Sequence, residues 1–464
     1  MNRLLLQTRT YPGVRSVRLI AGRRHAATTS RWVLACFLLL GSGAASIPAH
    51  AASPKASWTV MVFMNAKNNL EEDAIHNFLQ IANVGSTPAV NVVVEMGRPK
   101  KHYDSSFDGW SKTLRFRVTK DMTPIVSNAV VDLGDTDMGD GRSLAAFVEW
   151  ARATYPAERY MLVLWDHGQG WRFKLSRSFQ LKSTRVRAAD DVPSDDIPVQ
   201  AGFRSISHDD DTNHTLYNRD IQDSLKRVLA GAKLDIMSFD ACLMGMVETA
   251  YAMREVAQVM VGSEELEPGA GWDYSRWLPP LVADPGMDAA KLSGAVVDAY
   301  KAAYRDIYLT TLSAVDLTTT RDLASAISEL ATASTSVLPQ QAKAVRKARA
   351  ACFSYGRSVR LNTSVDLRCV IDSLDKEIPS LSSKTQPIRA ALKRFVLHNY
   401  ASARIRDGYG SDGIAIYFPP DRKAFENDKA NKDGYLRTNT VMPVEFVQKE
   451  EWSSFLHAYF QLSP

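Results

Sequence analysis

The stretch "LDIMSFDACLMG", residues 234–245, runs a largely apolar heptapeptide into Ala241, Cys242 and, a few residues on, Gly245. Its hydrophobicity is continuous rather than alternating, the mark of a strand covered on both faces. Four more runs read the same way: "WTVMVFM" (58–64), "VNVVVEM" (90–96), "YMLVLWD" (160–166) and "VAQVMVGS" (256–263). Between them lie segments with helical spacing, such as "LEEDAIHNFLQIANV" and "SLAAFVEWARATY". The βαβα order predicts an α/β fold, a mostly parallel sheet flanked by helices. Ligand sites in such sheets form at the carboxyl ends of the strands. Two strands end in reactive residues: "YMLVLWD" leads into His167 and Gly168, and "LDIMSFD" leads into Cys242.

After about residue 285 the pattern turns helix-rich, with "AAKLSGAVVDAYKAAYRDI", "TRDLASAISELATAS" and "PIRAALKRFVLHNY". Two strand-like runs, "LTTLSAVDL" (309–317) and "GIAIYFP" (413–419), interrupt it and either rejoin the main sheet or build a smaller one.

The formal charge of +5 is unevenly placed, because residues 1–51 hold seven arginines, Arg3 to Arg31, and no Asp, Glu or Lys. That basic segment, the apolar run "WVLACFLLLG" and the small-residue site "AHA" (49–51) read as an export signal with the mature chain starting at Ala52. The apolar run spans roughly 10 to 12 residues, short of the ~20 that cross a bilayer, so no stable membrane span is expected. Without those seven arginines, 49 basic residues face 51 acidic ones, and the case for a nucleic-acid partner disappears. The expected location is secreted, periplasmic or extracellular. The mature chain then keeps Cys242, Cys352 and Cys369. An oxidising compartment allows Cys352 and Cys369, near in sequence, to pair, and Cys242 is the odd thiol left over.

A thiolate attacks carbonyls well when something lowers its pKa or takes its proton, and an imidazole does both. A helix starting just after Cys242, as "LMGMVETAYAMREV" suggests, would favour the anion as well. Gly168 lets the backbone approach a substrate closely, and its amide can join that of Cys242 in an oxyanion hole. Taken singly, neither residue points to catalysis, since a strand-end cysteine is most often a small buried hydrophobe and a lone histidine is more often structural.

"YPAERYMLVLWDHGQGW" together with "LDIMSFDACLMGMVETAYAMREVAQVMVGSEELEPGAGWDY" resembles the clostripain family of cysteine peptidases. "WTVMVFMNAKNNLE" is similar to that family's first strand and following segment, "MGDGRSLAAFVEWA" to its helix before the histidine, and "SDGIAIYFP" to a late strand. The resemblance implies the caspase-like fold of the caspase, gingipain and legumain group, with Cys242 as nucleophile, His167 as general acid/base, and the amides of Gly168 and Cys242 on the oxyanion. In that group the pair commonly works as a dyad, so no third residue is nominated. The implied organisation is an export signal at 1–51, a caspase-like peptidase domain at 52–320, and a helix-rich C-terminal region at 321–464 with a late strand near 413–419.

The family resembled cleaves after arginine or lysine, which requires an acid in the primary pocket, where a carboxylate grips a guanidinium through charge-assisted bonds. Asp240, on the same strand face as Cys242, is the first candidate, a strand-end backbone cap being its other reading. "SEELEPGAGWDY" offers Glu267 and Asp273, although Ala270 and Gly271 stand where a second acid would be welcome. Family members also activate themselves by cutting a loop between the histidine and cysteine strands. The basic insert within 172–205 lies there, with Lys174, Arg177, Lys182, Arg185 and Arg187 as candidate bonds. An insert of this length without periodicity is either functional or simply solvated. Some members need calcium. "HDDDTNHT" (208–215) offers Asp209 and Asp211 as candidate ligands for a structural or activating ion, against the reading of a solvated acidic turn. No cofactor is required for the chemistry itself.

The leading expectation is therefore a secreted cysteine endopeptidase acting on protein or peptide substrates. Its alternative is a non-catalytic caspase-like protein that binds peptides or a surface. A thiol redox role lacks the second nearby cysteine that such chemistry needs.

Overall fold

Strands that the sequence marks as doubly covered form the middle of a nine-stranded sheet. The computed structural model describes residues 55–172, 206–305, 309–356, 363–428, 432–440 and 443–462. The export segment and nearly all of the basic insert therefore lie outside the described residues.

In chain order the strands are β1 (Ala56–Asn65), β2 (Val90–Gly97), β3 (Thr113–Arg117), β4 (Val131–Gly134) and β5 (Ala157–Trp165). A short ribbon, β6 (His208–Asp209) and β7 (His214–Thr215), precedes β8 (Leu234–Asp240), β9 (Ala257–Gly262) and β10 (Thr311–Asp316). Then come β11 (Ser354–Tyr355), β12 (Ser364–Asp366), β13 (Val396–Ala401) and β14 (Ala415–Tyr417). The main sheet runs β13-β10-β9-β8-β5-β1-β2-β3-β4. Its five central strands, β2, β1, β5, β8 and β9, are parallel, and the outer strands on each side add antiparallel pairs.

Alternate residues of the central strands feed two cores. Met61, Phe63, Leu162 and Leu164 face one, while Val60, Val62, Met64, Met161 and Val163 face the other. Each such side chain contributes about 1.5–3 kcal/mol by leaving water, which explains why both faces must be apolar. Helices Glu71–Ala82 and Gly141–Thr154 pack on the sheet, the second capped by Asp140, whose side chain accepts from the Arg142 amide.

The later strand-like runs take different routes. β10 joins the main sheet, whereas β14 pairs with β12 in a separate three-stranded sheet with β11. The helical reading of "PIRAALKRFVLHNY" extends too far, because the helix Ser382–Phe395 ends there and Val396–Ala401 pairs antiparallel with β10. Cys352 and Cys369 form a disulfide that ties the end of the long helix Thr320–Ala350 to the helix Leu367–Glu377. Among the described residues, no helix is long and apolar enough to cross a membrane.

Candidate active site

β5 and β8 are neighbours in the sheet, and their last residues, Trp165 and Asp240, are register partners. His167 and Cys242 each lie two residues beyond that pair, so parallel pairing alone carries them to the same sheet edge. The backbones then close on each other. A Cβ built on Gly168 would stand 2.3 Å from the Cys242 carbonyl oxygen and 3.0 Å from its amide nitrogen, so only glycine fits. Gly168 and Cys242, the two expected oxyanion donors, are thus in direct backbone contact.

Leu243, the residue after Cys242, has φ of 60°, a left-handed conformation that costs a non-glycine residue about 1–2 kcal/mol. The turn it makes is held by its amide, which donates to the Glu265 carbonyl at 3.1 Å. The expected helix consequently starts later than the sequence suggests, at Val247, because Gly245 and Met246 first pair with Ala415 of β14. Its N-terminus is not adjacent to the thiol.

His167 and Cys242 line one cavity, together with Leu70, Asp166, Asp240 and Glu267. The cavity holds about 40 Å³, room for water but far below the ~300–1,000 Å³ of ordinary ligand pockets. Cys242 Sγ accepts from the Glu267 amide at 3.2 Å and lies 3.7 Å from the Glu267 carbonyl oxygen. Burial pushes the thiol up to about 12; the Glu267 amide opposes this, and the Glu267 and Glu265 carboxylates add to it. His167 places Nε2 3.0 Å from Asn69 Oδ1. Asp166 acts as a cap, accepting from the amides of His167 (2.6 Å) and His208 (2.6 Å) and from Asn68 Nδ2 (2.8 Å).

Among the described residues, no cation acts on Asp240, Glu267 or Asp73. Asp240 accepts from the Trp272 amide (3.1 Å) and the Tyr274 hydroxyl (2.8 Å), so it caps backbone and lines the cavity at once. Burial nevertheless raises it to about 7, with a contribution from Asp73. Glu267 is 6% exposed, and burial beside Asp240 holds its pKa well above the carboxylate range. Asp73, on the helix Glu71–Ala82 and next to Gly269, is likewise raised to about 7 by burial and by Glu72, and its Oδ2 is unbonded. Gly271, with φ of 61°, admits Asp240, since a Cβ there would meet Asp240 Oδ1 at 2.7 Å.

Other candidates fall elsewhere. Asp273 bonds Arg276 Nε at 2.6 Å and is not part of the cavity lining. Lys174, Arg177, Lys182, Arg185 and Arg187 lie outside the described residues. Asp209 accepts from the amides of Met138, Asp211 and Thr212, and Asp211 from that of Lys100. The buried Lys67 ammonium stands 3.5 Å from Asp209 and 3.9 Å from Asp211, so an ammonium already serves these acids. No cluster of three His, Cys, Asp or Glu arranged to hold a metal occurs among the described residues.

Three site residues escaped the sequence reading: Asn69, Asp73 and Tyr274. A single asparagine in a loop, or an acid in the first turn of a helix, carries no periodic signature, and the first-turn acid has an ordinary role at a helix N-terminus.

Clostripain of Hathewaya histolytica is 25% identical over 248 residues, a match covering 50% of this chain and 43% of that protein's length. The solved secreted C11 cysteine protease "iotapain" of Bacteroides thetaiotaomicron superposes with a TM-score of 0.56 at 15% identity, covering 78% of this chain and 94% of that one. An inactive zymogen C11 protease from Parabacteroides distasonis gives 0.57 at 15% identity, covering 87% and 99%. At such identities the solved structures speak for the fold alone. The profile of the clostripain family, Peptidase C11, matches residues 62–459, most of the length, and the chain belongs to that family of cysteine peptidases.

Proposed function

We propose that the protein is an exported cysteine endopeptidase that cleaves after arginine or lysine and is made as a closed precursor. The observation that carries this reading is the meeting of His167, Gly168 and Cys242 at the paired ends of β5 and β8, beside the buried carboxyls of Asp240 and Glu267. Cys242 Sγ bonds to the scissile carbonyl carbon as its proton passes to His167, and the oxyanion is met by the Gly168 and Cys242 amides. His167 then protonates the leaving amine, giving a thioester that water, deprotonated by the same ring, hydrolyses.

Asp240 and Glu267 supply the negative charge for the substrate's basic side chain, and Asp73 adds to the field. A guanidinium or ammonium entering the pocket would ionise and pair these acids. The small cavity and the thiol held near 12 support a precursor form, as does the likeness in fold to a protease crystallised as an inactive zymogen. Self-cleavage within 172–205 at a Lys or Arg bond is the proposed activating step. Export is supported by the pattern of residues 1–51 and by the Cys352–Cys369 disulfide.

The test uses residues 52–464 with and without Cys242→Ala, fluorogenic peptides ending in Arg, Lys, Asp, Asn and Leu, and intact mass to follow the chain. The expected result is Arg or Lys cleavage lost in the variant, with a new terminus inside the insert. Turnover after a neutral residue would remove the pocket role from Asp240. No turnover and an uncut chain would favour a peptide-binding protein without catalysis.

A further inference from the structure

The imidazole of His167 does not stand alone. Asn69 Oδ1 lies 3.0 Å from its Nε2, and the loop that carries Asn69 is fixed from several sides. Asn68 donates through Nδ2 to Asp166 Oδ1 (2.8 Å) and to the His208 carbonyl (3.1 Å), and its Oδ1 accepts from the Leu70 amide (2.9 Å). Asn65 anchors the same loop, its Oδ1 accepting from the Lys67 amide (3.1 Å) and its Nδ2 donating to Ser207 Oγ (3.1 Å). Asp166 binds both Asn68 and the His167 amide, so one buried carboxylate sets the loop and the ring's own backbone in register. This rigidity is what a positioning group needs, since a ring misplaced by about 1 Å can cost ~100-fold in rate.

Resting on the proposed peptidase activity, we infer that Asn69 is a positioning residue that fixes the orientation and tautomer of the His167 ring. An amide oxygen on Nε2 requires Nε2 to carry a proton, which leaves the lone pair on Nδ1. Nδ1 is then the atom that takes the Cys242 thiol proton as the S–C bond forms, and it returns that proton to the amine nitrogen as the C–N bond breaks. Nε2–H stays on Asn69 throughout. The titratable groups that line the cavity with this ring are Asp166 on its own strand end, Asp240 at the end of β8, Cys242 beyond it, and Glu267 on the loop after β9. Asn69 is neutral and orients the ring without adding charge.

The experiment compares the activated full chain with its Asn69→Ala and Asn69→Asp variants. It reads kcat and KM on an Arg or Lys peptide from pH 5 to 9, the melting temperature, and the titration of ¹³C-labelled His167. Asn69→Ala is expected to lower kcat roughly 10- to 100-fold with KM and melting temperature unchanged. Asn69→Asp, still an acceptor but charged, should recover part of that loss and move the His167 titration and the acid limb of kcat/KM upward by about 1 pH unit. A kcat within twofold of wild type in Asn69→Ala overturns the assignment, as does an Asn69→Asp variant whose ring titrates where the wild type's does. Absence of turnover in the wild type would instead refute the peptidase reading, and the labelled-ring titration would still decide whether Asn69 holds the imidazole.

Discussion

Replacing Asp240 by asparagine in the uncleavable Cys242→Ala chain should stabilise the fold at pH 8 and weaken it at pH 4. Asp240 is raised from 3.8 to about 7 chiefly by burial, so the folded chain holds its proton over a range where the unfolded chain has lost it. Stability from this group is full below the unfolded value near 3.8 and falls as pH rises, the loss being complete above about 7. Three units correspond to about 4 kcal/mol at most. Asparagine removes that cost but offers one oxygen where the carboxyl accepts from both Trp272 N and Tyr274 OH, forfeiting about 1 kcal/mol of hydrogen bonding. The net expectation is a gain of about 3 kcal/mol at pH 8 and a loss of about 1 kcal/mol at pH 4. Urea denaturation at the two pH values measures both. With Cys242 restored, the same substitution should abolish Arg and Lys cleavage, so the acid is kept at the expense of stability. A variant equally destabilised at both pH values would refute the view that an unpaired buried charge is stored here.

Three further outcomes follow from the geometry. Gly168→Ala puts a Cβ against the Cys242 backbone, which cannot rotate away, and should lower kcat/KM by more than ~100-fold while costing about 1–3 kcal/mol in urea denaturation. Cys369→Ser opens a disulfide spanning 17 residues and should cost about 3 kcal/mol, read as a lower urea midpoint that reductant reproduces in the parent chain. With burial raising the thiol of the uncut chain, iodoacetamide should label Cys242 slowly at pH 8 and faster after activation, as followed by intact mass.

The sequence spoke clearly where physics leaves a strong pattern. β1, β2, β5, β8 and β9 are covered on both faces, and their continuous apolar runs gave them away to within a few residues. The site followed from them, because reactive residues just past two strand ends needed only adjacency of β5 and β8 to meet. Of the outer strands, β10 was legible as "LTTLSAVDL", whereas β3, β4 and β13 were silent. "TLRFR" and "VDLG" are short and carry charge, as strands at and beside a sheet edge do. β13 continues the helix Ser382–Phe395 with no glycine or proline between them, so the change of structure has no local signal and is imposed by pairing with β10. The acids were half legible: Asp240 and Glu267, which line the cavity, lie close to the cysteine or on the following loop, whereas Asp73, which acts on Asp240 without lining the cavity, arrives from a helix about 170 residues away by tertiary packing alone.

Glu267 joins the two halves of the site. Its amide and carbonyl stand at the Cys242 sulfur, and its carboxyl sits beside Asp240 in the cavity. On the proposed Arg or Lys specificity, a half-open cavity of about 40 Å³ is expected to widen, its wall shifting, as the basic side chain enters. If that wall is the loop of Glu267, the movement that widens the pocket also withdraws the amide from sulfur and lets water and the imidazole reach it. Burial, the largest cause of the raised thiol, would then be relieved by the same displacement that exposes the acids to a cation. Labelling of Cys242 and binding of a guanidinium such as agmatine should therefore appear together as the chain is cut. A chain that binds agmatine while its thiol stays unreactive would separate the two and place the lock on the nucleophile elsewhere.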